Sequence, residues 1–438
     1  MTMKGIRLKL GCSTSGAMAL LVLVLASACG RDGTSSGNLP RDTYLVAVRA
    51  NSGDEIWAAR PPILCPDQPT VVNNQLFIGG VGQSGTTYAS NDGTLVAFDR
   101  ATGAEEWRSA ARSSVSCPPQ QVFGIAAVSG SIAAVSVGEG VSGLDVKTGV
   151  ERWSAALKAD GALINTGDLV LVPAGQDIHA LDSQTGRERW RSTSTRAQNT
   201  QRFGDPVANS TSVFYVVADQ QTEASNKLVA LDLATGSVDW QADLPPGKIR
   251  SPLLTDEDVV VTSIELPEAQ RQAAGSATRV TLGIDSRNGR ELWRREIGGA
   301  DAALVDWVAF ADHTVYVMSN TPFGRGLEAL DARTGVRRWV TQDLAGTREF
   351  IAAGDQLVVL GNGGDNPRPR DVTPQNGSGM TVLALDDTNG AHIWKRTLLQ
   401  APQLFDTYPP DAIGSIVDGV LYIASTVATI DHELPGPD

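Results

Sequence analysis

The fold of this chain is decided by one stretch, Leu95-Val96-Ala97-Phe98-Asp99-Arg100-Ala101-Thr102-Gly103-Ala104-Glu105-Glu106-Trp107. The apolar run at its start predicts a β-strand. The aspartate can accept hydrogen bonds from the backbone N–H groups just ahead of it, and the glycine can adopt the positive φ that closes a turn. A second strand then carries the tryptophan. The stretch therefore predicts a β-hairpin in which the turn fixes the position of the indole ring.

The same hairpin recurs along the whole chain. Aspartate, glycine and tryptophan appear seven times at this spacing, and the first of eight copies has Arg49 in place of the aspartate. Successive tryptophans are 37 to 55 residues apart, and a strand-built repeat of this length is typical of propeller blades. The repeat tryptophans are Trp57, Trp107, Trp153, Trp190, Trp240, Trp293, Trp339 and Trp394. The repeat glycines are Gly53, Gly103, Gly149, Gly186, Gly236, Gly289, Gly335 and Gly390.

A second hairpin precedes each copy, so eight pairs of hairpins predict an all-β, eight-bladed propeller of four-stranded antiparallel blades over residues 43–438. We name the strands of each blade A to D. Residues 413–425 are predicted to supply strands A and B of the closing blade, and residues 44–58 its strands C and D. Residues 427–431 also resemble a strand C. We favour residues 44–49 because a tight turn joins them to their own strand D.

The tryptophans are predicted to pack between neighbouring blades. Burial of roughly 200 Å² of each ring at ~25 cal/mol/Å² gives about 5 kcal/mol apiece, as an upper bound. Since the aspartates hold a fixed place in a turn, we interpret them as structural and not as acid/base or metal-binding groups.

The start of the chain has the features of a targeting segment. Basic residues precede an apolar stretch that is too short to span a bilayer, so residues 1–28 are predicted to be a signal peptide. The run from Leu25 to Cys29 resembles a bacterial lipoprotein box with Cys29 lipidated. Ordinary secretion is the alternative. Residues 29–42 are predicted to be a flexible tether, which places the propeller in the cell envelope, on the extracytoplasmic side, attached to a membrane by its lipid anchor alone.

Charge and cysteine content limit the partners and the compartment. The chain carries a net charge of −13, and removal of three basic residues with the leader gives −16, which argues against nucleic acid as a partner.

Cys65 and Cys117 follow Trp57 and Trp107 by eight and ten residues, so they occupy nearly equivalent sites in adjacent blades. We predict a disulfide between them; two free thiols are the alternative.

No catalytic, cofactor-binding or metal-binding residues are predicted. The four histidines lie in different repeats, and none has another His or Cys at metal-ligand spacing. Residues 80–85 match the glycine pattern of dinucleotide-binding loops, but a loop follows where the pattern requires a helix.

The repeat resembles the pyrroloquinoline quinone (PQQ) repeat, A-x-D-x-x-T-G-x-x-x-W, which Ala97, Asp99, Thr102, Gly103 and Trp107 match. The resemblance implies the fold of the quinoprotein dehydrogenases, which bind PQQ on the propeller axis, usually beside a disulfide of adjacent cysteines. This chain lacks adjacent cysteines. It is more similar to the non-catalytic envelope lipoproteins of the BamB type, which implies a monomeric scaffold that binds other envelope proteins, without enzyme activity or cofactor. A small-ligand sensor and a PQQ-dependent dehydrogenase are the alternatives.

Repeat length varies mainly in the connection between strands B and C. The longer connections run over about residues 81–94, 220–227, 266–279 and 361–379, and they should emerge on the same face as the D–A connections and both mature cysteines. Loops on a rigid scaffold often carry binding sites, so we predict the working surface there, although neutral drift is the alternative. The candidate binding residues are Asn366, Arg368, Arg370, Gln270 and Gln272.

Overall fold

A computed structural model gives the architecture of the chain. The residues that it describes are 41–64, 66, 68–82, 92–114, 125–127, 131–137, 140–192, 200–219, 226–249, 253–271, 277–298, 308–311, 313–321, 324–341, 344, 347–353, 356–362, 380–398 and 412–428.

The described residues form eight antiparallel sheets, which we number as blades 1 to 8. The chain begins with β1 (Arg41–Arg49) and β2 (Glu55–Ala59). Blade 1 contains β3 (Ile63–Leu64), β4 (Thr70–Val72), β5 (Gln75–Gly82), β6 (Asp92–Asp99) and β7 (Glu105–Ser114). Blade 2 contains β8 (Ile125–Ala127), β9 (Ile132–Val137), β10 (Gly140–Asp145) and β11 (Glu151–Ala155). Blade 3 contains β12 (Ile164–Asn165), β13 (Leu169–Ala174), β14 (Asp177–Asp182) and β15 (Glu188–Ser192). Blade 4 contains β16 (Thr200–Ala208), β17 (Ser212–Asp219), β18 (Asn226–Asp232) and β19 (Val238–Leu244).

The remaining blades follow the same order. Blade 5 contains β20 (Lys248–Ile249), β21 (Leu254–Thr255), β22 (Val259–Glu265), a one-turn helix α1 (Glu268–Arg271), β23 (Ala277–Asp285) and β24 (Glu291–Gly298). Blade 6 contains β25 (Val308–Ala311), β26 (Thr314–Thr321), β27 (Gly324–Asp331) and β28 (Arg337–Thr341). Blade 7 contains β29 (Thr347–Ala353), β30 (Gln356–Asn362), β31 (Met380–Asp386) and β32 (His392–Leu398). Blade 8 joins β33 (Ala412–Val417) and β34 (Val420–Ala428) to β1 and β2.

Blade 8 confirms the predicted closure by the two ends of the propeller. Its strand order is β2-β1-β34-β33, so β1 is strand C and β34 is strand B. The register of β1 against β34 runs from the pair Arg41–Ala428 to the pair Arg49–Val420. Val427 and Ala428 therefore extend strand B instead of forming a competing strand C. The first strand begins at Arg41, three residues before the predicted strand C at residues 44–49, because strand B is long enough to pair with Arg41, Asp42 and Thr43 as well.

Each C–D hairpin turn has the geometry that its sequence predicts. In blade 1 the Asp99 carboxylate accepts hydrogen bonds from the backbone N–H of Thr102 at 2.8 Å and from its hydroxyl at 2.7 Å. The Gly103 N–H donates to the Asp99 carbonyl at 2.9 Å, and φ of Gly103 is +71°. All eight repeat glycines have φ between +66° and +73°, a conformation that side chains with a Cβ rarely adopt.

The tryptophans join each blade to the next. The Trp57 indole of blade 8 lies so close to Gly103 of blade 1 that a Cβ on the glycine would sit 2.5 Å from the ring. The same contact recurs at every junction and ends with Trp394 of blade 7 against Gly53 of blade 8. Each indole Nε1 also donates to a backbone carbonyl in the turn of the next blade, at 2.5 to 3.1 Å. Each repeat glycine is thus required both by its φ and by the ring that covers it.

The apolar core lies between the blades. The described residues form eight buried clusters, one at each junction between neighbouring blades. Every strand C carries alanine or glycine directly opposite the tryptophan of its own strand D, as in the pairs Ala97–Trp107 and Gly143–Trp153. A small residue at this register position leaves room for the indole, which gives a physical reason for the alanine of the repeat motif.

The junction between blades 8 and 1 has an additional polar link. The Arg100 guanidinium donates from Nε to the Tyr422 hydroxyl at 2.7 Å and from the other nitrogens to the Asp418 carboxylate at 2.7 Å and the Val417 carbonyl at 3.0 Å. Arg100 is the first turn residue after β6, whereas its three partners belong to the β33–β34 hairpin. We call this set of contacts the latch; it joins the last described hairpin to blade 1.

The two faces of the propeller differ in what they carry. The A–B turns lie beside the C–D turns: the Arg100 N–H donates to the Asn74 carbonyl at 2.9 Å, and the Asn74 amide donates to Asp99 at 3.0 Å. We call this side the turn face. Because consecutive strands are antiparallel, the B–C and D–A connections leave the opposite ends of the strands, and we call that side the connection face.

Candidate functional site

One of the five predicted binding residues lies in the described part of the chain. Gln270 is exposed in α1, within the B–C connection of blade 5. The residues outside the described part are Cys29, Cys65, Cys117, Gln272, Asn366, Arg368 and Arg370. The candidate site is therefore built around Gln270 and the groove that it lines.

Gln270 lies over a cavity of about 480 Å³ between blades 4 and 5, which we call the blade 4–5 groove. One wall is the end of β19 with the D–A connection after it, from Ala242 to Pro246. The other wall is β24, and Leu266 and Gln270 lie at the connection-face end. The floor is formed by Val280, Leu282 and Ile284 of β23, and the groove reaches the turn face at Gly289.

Two local contacts hold the blade 4 wall in place. The amide of the buried Asn226 donates to the Pro245 carbonyl at 2.9 Å and to the Gly247 carbonyl at 3.0 Å. Gly247 has φ +133°, and a Cβ on it would lie 2.1 Å from the carbonyl oxygen of Glu265. Only glycine fits there, so the connection passes tightly over β22 before the chain enters blade 5.

The groove is lined by more acidic than basic side chains. Arg294 is held by Glu291, to which its Nε and one terminal nitrogen donate at 3.0 and 2.7 Å. These hydrogen bonds raise the pKa of Arg294 above its ordinary value, against the effect of burial. Glu296 on one wall and Asp243 on the other add two carboxylates, so the lining has three acids and one base.

One polar cluster lies on the turn face of blades 4 to 6. The turn Asp256-Glu257-Asp258 of blade 5 receives the His313 ring of blade 6, whose Nδ1 is 2.8 Å from Asp256. Arg287 and Arg333 pair with Asp258, and the Ser210 N–H of blade 4 donates to Glu257 at 3.3 Å. The cluster links three blades, and we assign it a structural role.

Another contact that sequence reasoning missed is internal to blade 3. His179 is buried on β14, and its Nδ1 lies 2.7 Å from a Glu188 carboxylate oxygen on β15. The two residues lie on neighbouring strands of one hairpin, so the strand register could have predicted this contact.

The described residues contain no group of three or more His, Cys, Asp or Glu side chains placed to hold a metal ion. Within the same residues, no helix combines the length and the apolar character needed to cross a membrane.

Comparison with known proteins places this architecture among the PQQ-like propellers. The chain resembles the crystal structure of BamB from Moraxella catarrhalis with a TM-score of 0.51 and 15% identity, over 82% of this chain and 96% of that one. It also resembles the quinohemoprotein alcohol dehydrogenase from Comamonas testosteroni with a TM-score of 0.52 and 12% identity, over 90% and 78% of the two chains. At these identities the likeness is one of fold. No curated protein matches the sequence.

The family model described as outer membrane protein assembly factor BamB matches residues 41–274, 175–348 and 265–408, which together span nearly the whole propeller. The chain belongs to this family, which confirms the resemblance seen in the repeats.

Proposed function

We propose that this protein is a lipid-anchored protein of the cell envelope and that its propeller acts as a scaffold for the assembly of other envelope proteins. The observation that supports this most strongly is the family match over residues 41–408, since the family is described as an assembly factor. The glycine and the tryptophan that recur in all eight repeats pack neighbouring blades together on the turn face. We therefore expect partners to bind at the connections on the opposite face.

The anchor is tested first. Replacement of Cys29 by Ser should leave the protein unprocessed or mislocalised, because the acylated cysteine would supply the two or three chains that stable membrane attachment needs. The measurement is detergent partitioning together with the mass of the mature chain. A variant that matures and partitions as the wild type does would refute the anchor.

Partner capture tests the scaffold role. Cross-linking in native membranes followed by co-purification should recover envelope proteins with the wild type. Shortening the connections 266–279 and 361–379 to three-residue turns should change the melting temperature little and abolish that capture.

A matched control for this deletion is the double variant Val150→Ser, Val336→Ser on the turn face. Both valines are exposed and follow a repeat glycine. We expect this control to capture partners normally. If the deletion variant still captures partners and the control variant does not, the partners bind on the turn face and the proposed working surface is wrong.

An enzymatic role is the second candidate, because solved structures with this fold include quinohemoprotein alcohol dehydrogenases. We propose that the chain is not a redox enzyme. The protein mixed with PQQ and calcium should show neither bound-cofactor absorbance nor dye-linked oxidation of alcohols or sugars. Either signal would reverse this assignment.

The two cysteines are tested separately. We propose that Cys65 and Cys117 form a disulfide that would stabilise the protein by about 4 kcal/mol, since it closes a loop of roughly fifty residues. Thiol titration of the oxidised mature protein should find neither thiol free; two titratable thiols would contradict the pairing.

A further inference from the structure

We propose that the blade 4–5 groove binds one basic side chain, an arginine or a lysine, presented by a protein partner. The proposal rests on the scaffold function for the source of that side chain. Its chemistry follows from the walls, the charges and the mouth of the groove.

The walls of the groove fit a slender alkyl chain. Val280, Leu282 and Ile284 are almost fully buried at the floor, so an occupant contacts mainly the half-buried Pro245, Pro246 and Leu266. The volume of about 480 Å³ lies within the ~300–1,000 Å³ range of small-ligand sites. Arginine and lysine place their aliphatic stems against apolar surface of this kind while the charged end stays in a polar environment.

The charges of the groove select a cation. The guanidinium of Arg294 already has both oxygens of Glu291 as acceptors, so it is not available to an incoming anion. Glu296 and Asp243 then flank the groove from opposite walls, and the lining carries a net charge of −2.

Lys227 does not remove this preference. It pairs with Asp243 at 2.9 Å from outside the lining, and counting it still leaves a charge of −1. Since 84% of the Asp243 side chain is exposed, the pair is weak and an incoming cation can replace it. The net charge of −13 on the whole chain attracts basic partners over a longer range.

The mouth of the groove favours a side chain that is part of a peptide. Gln270 is exposed beside the opening, and its amide offers one donor group and one acceptor to a main chain passing over α1. A free cation would leave this amide unused, whereas a segment of a partner would bind through both its side chain and its backbone.

The test uses the full-length protein in detergent micelles and the capped pentapeptides Gly-Ser-X-Ser-Gly, where X is arginine, lysine, norleucine or glutamate. Methyl NMR should show shifts of Leu266, Leu282 and Val280 with the arginine and lysine peptides at millimolar concentrations. We expect binding roughly fivefold tighter than that of the norleucine peptide, and none of the glutamate peptide.

Two variants locate the charge that matters. Glu296→Gln should weaken binding of the arginine peptide by about fivefold. Asp239→Asn also removes one negative charge, but Asp239 lies on β19 next to Trp240, outside the groove lining. This control should keep the affinity within about twofold of that of the wild type.

Equal binding of the norleucine peptide, or an unchanged affinity in Glu296→Gln, would overturn the proposal. Spermidine that binds as tightly as the arginine peptide would make the groove a polyamine site and also overturn it. So would normal capture of envelope partners by Glu296→Gln in the cross-linking experiment. If the wild type captures no envelope protein and the peptides still bind as expected, the scaffold function fails while the selectivity of the groove stands.

Discussion

The two faces of the propeller are built from the same eight repeats, yet they follow different rules. On the turn face every repeat glycine has a φ within a few degrees of +70° and lies under the tryptophan of the preceding blade. On the connection face the B–C connections differ in length, from residues 175–176 in blade 3 to residues 363–379 in blade 7. The glycine–tryptophan contacts that recur at every junction lie on the turn face, whereas the connections on the other face vary in length.

Blade 8 shows which part of the turn is indispensable. Arg49 replaces the aspartate there, but the Gly53 N–H still donates to the Arg49 carbonyl at 2.8 Å and φ of Gly53 remains +71°. The carboxylate supports the turn without defining it. We therefore expect the glycine and the tryptophan to contribute more to the free energy of unfolding than the carboxylate does.

The largest effect is expected at a repeat tryptophan. Trp153→Ala should lower the free energy of unfolding by about 3–5 kcal/mol, because it empties a buried site between blades 2 and 3 and removes the hydrogen bond to the Ser183 carbonyl. On the connection face Gln270→Ala should stay within about 0.5 kcal/mol of the wild type. Chemical denaturation measures both. Similar losses in the two variants would contradict the difference between the faces.

The second prediction compares two glycines of blade 3 with nearly the same backbone conformation. Gly186 on the turn face has φ +66°, and an added Cβ would lie 2.4 Å from the Trp153 ring. Gly175 on the connection face has φ +61° and nothing within 4 Å. Gly175→Ala should cost about 1 kcal/mol from backbone strain alone, whereas Gly186→Ala should cost about 2–4 kcal/mol because the indole must also move. Equal costs would show that strain, not the ring, requires glycine at this position.

The turn face is the part of the molecule that sequence could predict. Asp99, Gly103 and Trp107 are close along the chain, so their types and spacing already contain the hairpin geometry. Closure of the ring could also be predicted, because the first and the last predicted hairpins each supply two strands of a four-stranded blade. The register pairs of Arg41, Asp42 and Thr43 with strand B were missed, since nothing local marks where a strand ends when its partner is more than 380 residues away.

The groove and the latch could not be predicted in this way. Glu296 and Asp243 are ordinary surface residues of two strands, and only the packing of blade 4 against blade 5 places them on opposite walls. Arg100 is one variable position among eight copies of the turn, and its partners lie more than 300 residues later. Gln270 was predicted from the length of its connection, which indicated the segment but not the groove beneath it.

The third prediction concerns the latch between blades 8 and 1. Arg100→Met keeps an aliphatic side chain but removes the donors to Tyr422, Asp418 and the Val417 carbonyl, so it should cost about 1–2 kcal/mol. Arg108→Met is the control, because within the described part of the chain Arg108 pairs only with the nearby Glu105 on the same strand, and it should cost less than about 0.5 kcal/mol. If the two variants unfold at the same denaturant concentration, the latch adds nothing beyond an ordinary surface pair.

The smallest effect is expected at a turn carboxylate, and it should depend on pH. Hydrogen bonds from Arg189 and from Thr185 lower the pKa of Asp182 from 3.8 to about 2. A carboxyl whose pKa is lower in the folded state adds stability above its unfolded pKa and loses it as the pH falls through the folded value. The contribution of Asp182 should therefore be complete above pH 4 and lost between about pH 4 and pH 2.

Asp182→Asn retains an oxygen that can accept the Thr185 N–H, which donates to Asp182 at 3.0 Å, but it removes the charge that pairs with Arg189. The variant should melt slightly below the wild type at pH 7, and the difference should vanish near pH 2. Arg189→Met keeps the carboxylate and removes the main cause of the lowered pKa, so its loss of stability should begin at a higher pH than in the wild type. Melting temperatures at pH 7, 4 and 2 measure both shifts. A constant difference between Asp182→Asn and the wild type across this range would mean that the carboxylate acts only as a hydrogen-bond acceptor, as an uncharged residue could, and that its charge contributes nothing to the turn face.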